Sequence, residues 1–310
     1  MTRKRILLAG AGRWGKILIR NLHQHPGLQL AGLVTRQNEA ELAFTESGTE
    51  FFTEFEDALS KGWDGVILTT PPSIHGGQLL SCMEAGIPTL VEKPLTLSVR
   101  EAELLAATAA RFKSSVLVDH TQLFQPAYEW LKHEFANPNQ ILNIESEAGN
   151  MGPYRSGYSA LWDYGAHDVS MILDLLGQFP AEIQATASDV KKNGDAEAGD
   201  YSATLVFASG VQAHFAVSNQ RKEKLRNFRV ETADSFYLCE DVPVTKLTRI
   251  KKRSGDRTPI DISSHKPVER LLNVFADGLE GKIDARWGLN LGVDVIRCLE
   301  AFEKSIKTQA

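Results

Sequence analysis

The sequence predicts an α/β protein in two parts: an N-terminal doubly wound parallel sheet, then a C-terminal α/β domain with a mostly antiparallel, open sheet. Three observations carry that expectation. Short apolar runs alternate with amphipathic ones up to about residue 121, the rhythm of successive βαβ units. A glycine cluster, Gly10-Ala11-Gly12-Arg13-Trp14-Gly15, directly follows the first apolar run. Beyond residue 121 the rhythm changes to alternating strands with hairpin signals such as Ser209-Gly210.

Residues 4–9 read as a buried strand and residues 13–25 as the helix after it. Residues 28–34 form a second strand, and a helix is expected over 38–47. Phe51 and Phe52 suit a short edge strand before a helix near 54–60. A strand over 64–69 precedes a helix over 73–85 that Gly86 stops. Residues 89–92 are a buried strand ending at Pro94, and residues 98–112 a helix opened by a Ser98-x-x-Glu101 capping box. Residues 115–119 complete the first sheet. The second part opens with a helix over 126–135, a strand over 141–147, a Gly- and Tyr-rich loop and a helix over 169–176. Strands follow at 183–188, 202–207, 212–217, 228–231 and 235–238, and helices at 268–280 and 289–306 close the chain. The domain boundary is expected at 121/122, with a dinucleotide-binding domain over 1–121 and a substrate and oligomerisation domain over 122–310.

Composition narrows the function. Hydrophobic residues make up 43% of the 310 and charged residues 24%, an ordinary globular balance. A net charge of −5 argues against nucleic acid as partner. Three scattered cysteines, Cys82, Cys239 and Cys298, suit a reducing compartment and burial rather than a disulfide framework. The basic, then apolar start ends at Gly10, too early for a signal segment, and no run approaches the ~20 apolar residues of a membrane span. A soluble, cytoplasmic protein is expected. His23-x-His25 lacks further ligands, so no metal is expected, and the basic stretch 246–257 reads as a solvated hairpin.

The glycine cluster carries the first chemistry. Between a strand and a helix, G-x-G-x-x-G is the dinucleotide-binding fingerprint. Gly10 permits the tight turn, Gly12 the approach of backbone to a pyrophosphate, and Gly15 close packing of helix on strand. The next helix start offers unpaired N–H groups and a favourable dipole. An NAD enzyme usually places Asp or Glu at the end of the second strand; here stand Thr35 and Arg36. A guanidinium and a hydroxyl bind a 2′-phosphate that a carboxylate would repel, so NADP is expected over NAD; Arg36 stacked on the adenine is the alternative.

Three further segments make the reading specific. Thr69-Thr70-Pro71-Pro72-Ser73-Ile74-His75 and Glu92-Lys93-Pro94 follow successive strands, and Leu161-Trp162-Asp163-Tyr164-Gly165-Ala166-His167-Asp168 lies in the second part. With the glycine loop, and with Val118-Asp119-His120 and Pro126-Ala127, they resemble the glucose–fructose oxidoreductase and inositol dehydrogenase (Gfo/Idh/MocA) family of NAD(P)-dependent oxidoreductases across nearly the whole chain. The resemblance implies that Lys93 is the central catalytic lysine and that Asp163 and His167 complete the site. It implies too that Thr70, Pro71, Pro72, His75 and Glu92, with Lys93, line the cofactor groove beside Gly10–Gly15. The open sheet would form the interface of a homodimer or homotetramer.

Elementary chemistry agrees. Taking hydride from a secondary alcohol requires a base for the hydroxyl proton, which suits histidine; Asp163 can hold the ring, and Lys93 can stabilise charge on the substrate oxygen. Whether Lys93 or His167 transfers the proton stays open. The chain departs from the family at Tyr158-Ser159-Ala160, where many members carry glycines, and at Ser170, where inositol dehydrogenases carry a second Asp. Tyr154 and Arg155 precede the Asp163 motif; Arg155 binds a substrate phosphate or carboxylate or serves the surface, and Trp162 packs in the core or lines the pocket. The expected activity is hydride transfer to or from a sugar, sugar derivative or related polyol. The alternatives are a non-catalytic dinucleotide sensor and a semialdehyde or amino-acid dehydrogenase.

Overall fold

The computed structural model describes residues 2–37 and 48–309, in two compact units. The helix expected over 38–47 lies outside the described residues. The first unit comprises Met1–Thr121 and Lys266–Ile296, the second Gln122–His265 and Arg297–Ala310.

In the first unit, strands β1 (Lys4–Ala9), β2 (Leu28–Val34), β3 (Glu50–Phe52), β4 (Gly65–Leu68), β5 (Thr89–Glu92) and β6 (Val116–Asp119) form one sheet in the order β3-β2-β1-β4-β5-β6. Every pairing in it is parallel. Helices α1 (Arg13–Gln24), α2 (Phe55–Leu59), α3 (Pro72–Glu84) and α4 (Val99–Phe112) connect the strands. Ile6, Leu7, Leu8, Val66, Ile67, Leu68, Leu90 and Val91 are fully buried, the continuous apolar run of strands covered on both faces. Strand order reverses between β1 and β4, and the carboxyl ends at such a switch point are where open α/β sheets bind ligands.

The segment 266–296, which the sequence places in the second domain, packs with the first unit. Phe275 of α8 (Pro267–Leu279) lies against Gly65 of β4, where a Cβ would come within 2.9 Å of its ring. Asn273 Oδ1 accepts a hydrogen bond from His25 Nε2 (3.0 Å), and Gly288 N–H donates to the Val116 carbonyl (2.7 Å). His25 Nδ1 accepts from the N–H groups of Gly27 and Leu28, so this histidine braces a turn.

The second unit holds an eight-stranded sheet in the order β14-β13-β12-β11-β7-β10-β9-β8. Its strands are β7 (Asn143–Met151), β8 (Glu182–Asn193), β9 (Ala196–Val206), β10 (Gln212–Ser218), β11 (Gln220–Glu231), β12 (Ser235–Glu240), β13 (Lys246–Lys251) and β14 (Arg257–Ile260). Only β7 and β10 pair in parallel; the other neighbours are antiparallel. Strand β7 alternates: Ile144, Ser146 and Ala148 are buried while Glu145 and Glu147 face outward, where Glu145 pairs with Arg229 (2.5 Å). Helices α5 (Pro126–Glu134), α6 (Ala160–Asp163) and α7 (Gly165–Leu176) belong to this unit; α9 (Asn290–Gln309) is divided between the two.

Some boundaries differ from expectation for physical reasons. Strand β8 runs on to Asn193 although Val190–Asn193 are exposed, because the β8–β9 ladder satisfies the backbone without burying a face. Helix α7 starts at Gly165 rather than 169, because Asp168 is itself buried and marks no boundary. The capping box does not form. Ser98 sits at the N-cap of α4 without a side-chain cap bond; its N–H and carbonyl are engaged by the Thr96 hydroxyl (3.3 and 2.8 Å). The Glu101 carboxylate turns instead onto Gly76 of α3, where burial raises its pKa. All three cysteines are buried, which pushes the Cys82 and Cys239 thiols up to about 12.

Candidate functional site

Between Ala9 and Arg13 the chain turns through Gly10 with φ +102°, where a Cβ would sit 2.8 Å from the Thr69 carbonyl carbon. At Gly15 a Cβ would meet Thr69 Oγ1 at 2.9 Å and the Gly10 carbonyl closer still. The Thr69 hydroxyl donates to the Gly10 carbonyl (2.7 Å), so loop, helix and β4 close on one another as the spacing predicts. Gly12 is different: it is the N-cap of α1 and has no atom within 4 Å of its Cβ position. The helix start has no side-chain cap and no acidic residue in its first turn. Its free N–H groups and positive dipole end therefore fit a diphosphate, with Gly12 leaving room for approach.

At the end of β2, Thr35 N–H donates to the Phe52 carbonyl (2.9 Å) and the Thr35 hydroxyl accepts from Gln37 N–H (3.0 Å). Gln37 Nε2 then donates to the Ala11 carbonyl (3.1 Å), tying the strand end to the glycine loop. Arg36 is exposed beside it. Sequence reasoning passed over Gln37; a polar side chain three residues past the strand was its only signal.

After β4, Thr70 Oγ1 donates to Gln78 Oε1 (2.5 Å), Pro71 is exposed, and Pro72 opens α3 buried. His75 is fully buried: Nε2 donates to the Thr70 carbonyl (2.7 Å) and Nδ1 faces the Pro94 carbonyl (3.3 Å). Burial lowers its pKa, against these carbonyl bonds. In the neutral ring the shorter contact holds the N–H, so His75 braces the turn after β4 against the turn after β5. It supports the groove from behind.

Lys93 follows β5 and is 8% exposed; its N–H donates to Glu92 Oε2 (2.8 Å), and its peptide bond to Pro94 is cis. The β5–β6 register pairs Glu92 with Asp119, which brings Lys93 level with His120. Asp119 accepts from the Trp14 indole N–H at Oδ2 (2.7 Å) and from the Thr121 hydroxyl at Oδ1 (2.5 Å). Burial pushes the Asp119 carboxyl up to about 6, against the Thr121 and Trp14 bonds and the Lys93 charge. Burial and the same Lys93 charge push His120 down to about 3, so its ring is neutral. Trp14, expected among the cofactor residues, thus commits its indole N–H to Asp119. Asp119 and His120 entered the sequence reading only through the family resemblance.

In the second unit the loop after β7 is pinned at both ends. Gly152 N–H donates to the Asn219 carbonyl (2.8 Å), the Tyr164 hydroxyl to the Gly152 carbonyl (2.7 Å), and Gly157 N–H to the Asp195 carbonyl (3.0 Å). Between these pins Tyr154 is half-exposed, its hydroxyl donating to Met151 Sδ (3.1 Å). Arg155 Nε donates to Asp163 Oδ2 (3.0 Å); Asp163 ends α6 and is 6% exposed. His167 lies one turn on, partly exposed, its N–H on the Tyr164 carbonyl (3.0 Å). Asp168 points elsewhere: fully buried, it accepts from the Ser146 hydroxyl and pairs with Arg226 (3.5 Å), anchoring α7 to the sheet. Trp162 is buried with its indole N–H on Glu303 Oε1 (2.8 Å), which resolves it as a packing residue. Among the described residues, no cluster of His, Cys, Asp and Glu could hold a metal ion, and no helix is long and apolar enough to cross a membrane.

Comparison with known proteins fits these geometries. Residues 4–120 match the family described as "Oxidoreductase family, NAD-binding Rossmann fold", and residues 132–233 match the GFO/IDH/MocA C-terminal domain. A 4-carboxy-2-hydroxymuconate-6-semialdehyde dehydrogenase of Sphingobium is 29% identical over 59% of this chain and 61% of its own length. A UDP-N-acetylglucosamine 3-dehydrogenase of Acidithiobacillus ferrooxidans is 27% identical over 58% of this chain and 56% of its own. The chain thus spans about three fifths of the length of these curated relatives. A crystal structure of a protein provisionally assigned as an oxidoreductase, from Magnetospirillum magnetotacticum MS-1, is 36% identical and superposes with a TM-score of 0.89 over 97% of this chain and all of the other. With family matches on both units, the chain belongs to the Gfo/Idh/MocA family of oxidoreductases, whose N-terminal part is an NAD-binding Rossmann fold.

Proposed function

We propose that this protein is a dehydrogenase or reductase that uses NADP in preference to NAD and moves hydride to or from a sugar, sugar derivative or related polyol. The observation that carries this reading is the pairing, within one unit, of an uncapped helix start within Gly10–Gly15 with a largely buried lysine after β5. Bound there, the dinucleotide supplies the hydride chemistry. The backbone N–H groups at the start of α1 hold its diphosphate, and Thr35 and Arg36 engage the 2′-phosphate. Lys93 hydrogen-bonds the reacting oxygen and stabilises its negative charge, and either Lys93 or His167 exchanges the hydroxyl proton. Asp163, itself held by Arg155, orients His167. Tyr154 and Arg155 sit on the loop that selects the substrate. The open eight-stranded sheet serves as the interface of a homodimer or homotetramer.

The test is a coupled NADP and NAD assay across sugars, polyols and sugar nucleotides, with Lys93→Met as the blank. The variant binds dinucleotide but turns nothing over. A Lys93→Met protein as active as wild type removes the reading. The Sphingobium relative favours a second reading, oxidation of a semialdehyde, so the panel includes carboxylated aldehydes.

A further inference from the structure

The glycine-loop helix and the strand ends around Lys93 meet at one buried carboxylate. Asp119 is 1% exposed and both its oxygens accept hydrogen bonds, one from the Trp14 indole on the first turn of α1, one from Thr121. A carboxylate so satisfied can stay ionised inside a protein. The ionisable groups brought toward it are Glu92 at the end of β5, Lys93 just after it, and His120 just after β6; α1 contributes the indole. Glu92 is engaged with the Lys93 backbone N–H, and neutral His120 carries no charge. Lys93 is thus the cation that Asp119 faces.

We propose that Asp119 is a positioning residue that couples the seating of the dinucleotide to the setting of Lys93: its carboxylate holds the glycine-loop helix through Trp14 and faces the lysine ammonium. The inference rests on the function proposed above. Trp14 lies two residues past Gly12, so a diphosphate settling on the helix start acts on the donor of the Trp14–Asp119 bond. Asp119 passes that change to the lysine as a change of charge and of bond geometry. Linkage requires the converse: the ionisation of Asp119 must alter dinucleotide affinity by the same factor as the dinucleotide alters Asp119.

The experiment follows the indole N–H of Trp14 by NMR in the full chain labelled with 15N-tryptophan, its resonance identified as the one lost in Trp14→Phe. In the free protein it titrates with a midpoint at about 6, the Asp119 carboxyl. Saturating NADP moves that midpoint by about half a pH unit or more, a roughly threefold coupling. Asp119→Asn abolishes the titration and lowers kcat about tenfold or more. If NADP binds by calorimetry and leaves the midpoint unmoved, the coupling is overturned while the proposed function stands. If Asp119→Asn keeps full kcat, the positioning role is overturned. If the wild type binds neither NADP nor NAD, both readings fall. Should Asp119→Asn not fold, the wild-type titration still decides.

Discussion

Asp119→Asn should make the protein more stable at neutral pH while making it a poorer catalyst. Burial raises the Asp119 carboxyl from 3.8 to about 6 despite two hydrogen bonds and a neighbouring lysine. The folded state therefore holds that proton more tightly than the unfolded chain does. The stability this confers is complete below about pH 4 and is lost as pH rises through about 6. A shift of about two units at about 1.4 kcal/mol each puts the full loss at ~3 kcal/mol. Roughly half of it, on the order of 1 kcal/mol, falls between about pH 5 and about pH 8, where the protein can be compared without acid unfolding. Asparagine keeps an acceptor for Trp14 and does not titrate. Urea unfolding of wild type and variant at the two pH values should thus show the stability difference moving in the variant's favour by that amount, with unchanged m. A difference that stays flat with pH, or moves toward the wild type, refutes the argument.

Arg36→Asp should shift cofactor preference toward NAD by roughly ten- to a hundredfold, the scale of one charge-assisted bond, read as the ratio of kcat/KM for the two cofactors. Gly15→Ala and Gly76→Ala test what surrounds a glycine. The first meets the Gly10 carbonyl and Thr69 and should cost ~1–3 kcal/mol and dinucleotide affinity; the second meets the movable end of Glu101 and should cost less than ~1 kcal/mol by thermal unfolding. Asp168→Ala leaves Arg226 largely buried without its partner and should destabilise by ~3–5 kcal/mol, whereas a surface acid would cost almost nothing.

The glycine loop was legible because a dinucleotide turn writes its backbone needs as residue types: Gly10 needs a positive φ and Gly15 has no room for a Cβ. The parallel strands were legible for a similar reason, since burial on both faces demands unbroken apolar runs. Asp163 and His167 were visible only through the family resemblance. The roles of Trp14, Gln37, His75 and Asp168 were not legible. Each is set by a hydrogen bond to a residue distant in the chain, Trp14 to Asp119, Gln37 to Ala11, His75 to Pro94 and Asp168 to Ser146, and no local pattern encodes such a partner. The extensions of β8 and β11 were hidden likewise, because a ladder between exposed strands leaves no hydrophobic period to read.

The bond from Gly288 to Val116, with the bridge between Gly288 and Leu117, lays a late piece of chain along β6, the edge strand of the first sheet. On the ribosome that edge must wait while the whole stretch from Gln122 to His265 is made, roughly 10–30 s at ordinary elongation rates. During that interval the nascent sheet exposes an unpaired apolar strand, the form of intermediate that chaperones bind and that aggregates when they are scarce. A fragment ending at residue 121 would stay in that condition permanently. Any attempt to transplant this cofactor module must therefore carry residues 266–296 with it, as a second segment of the graft.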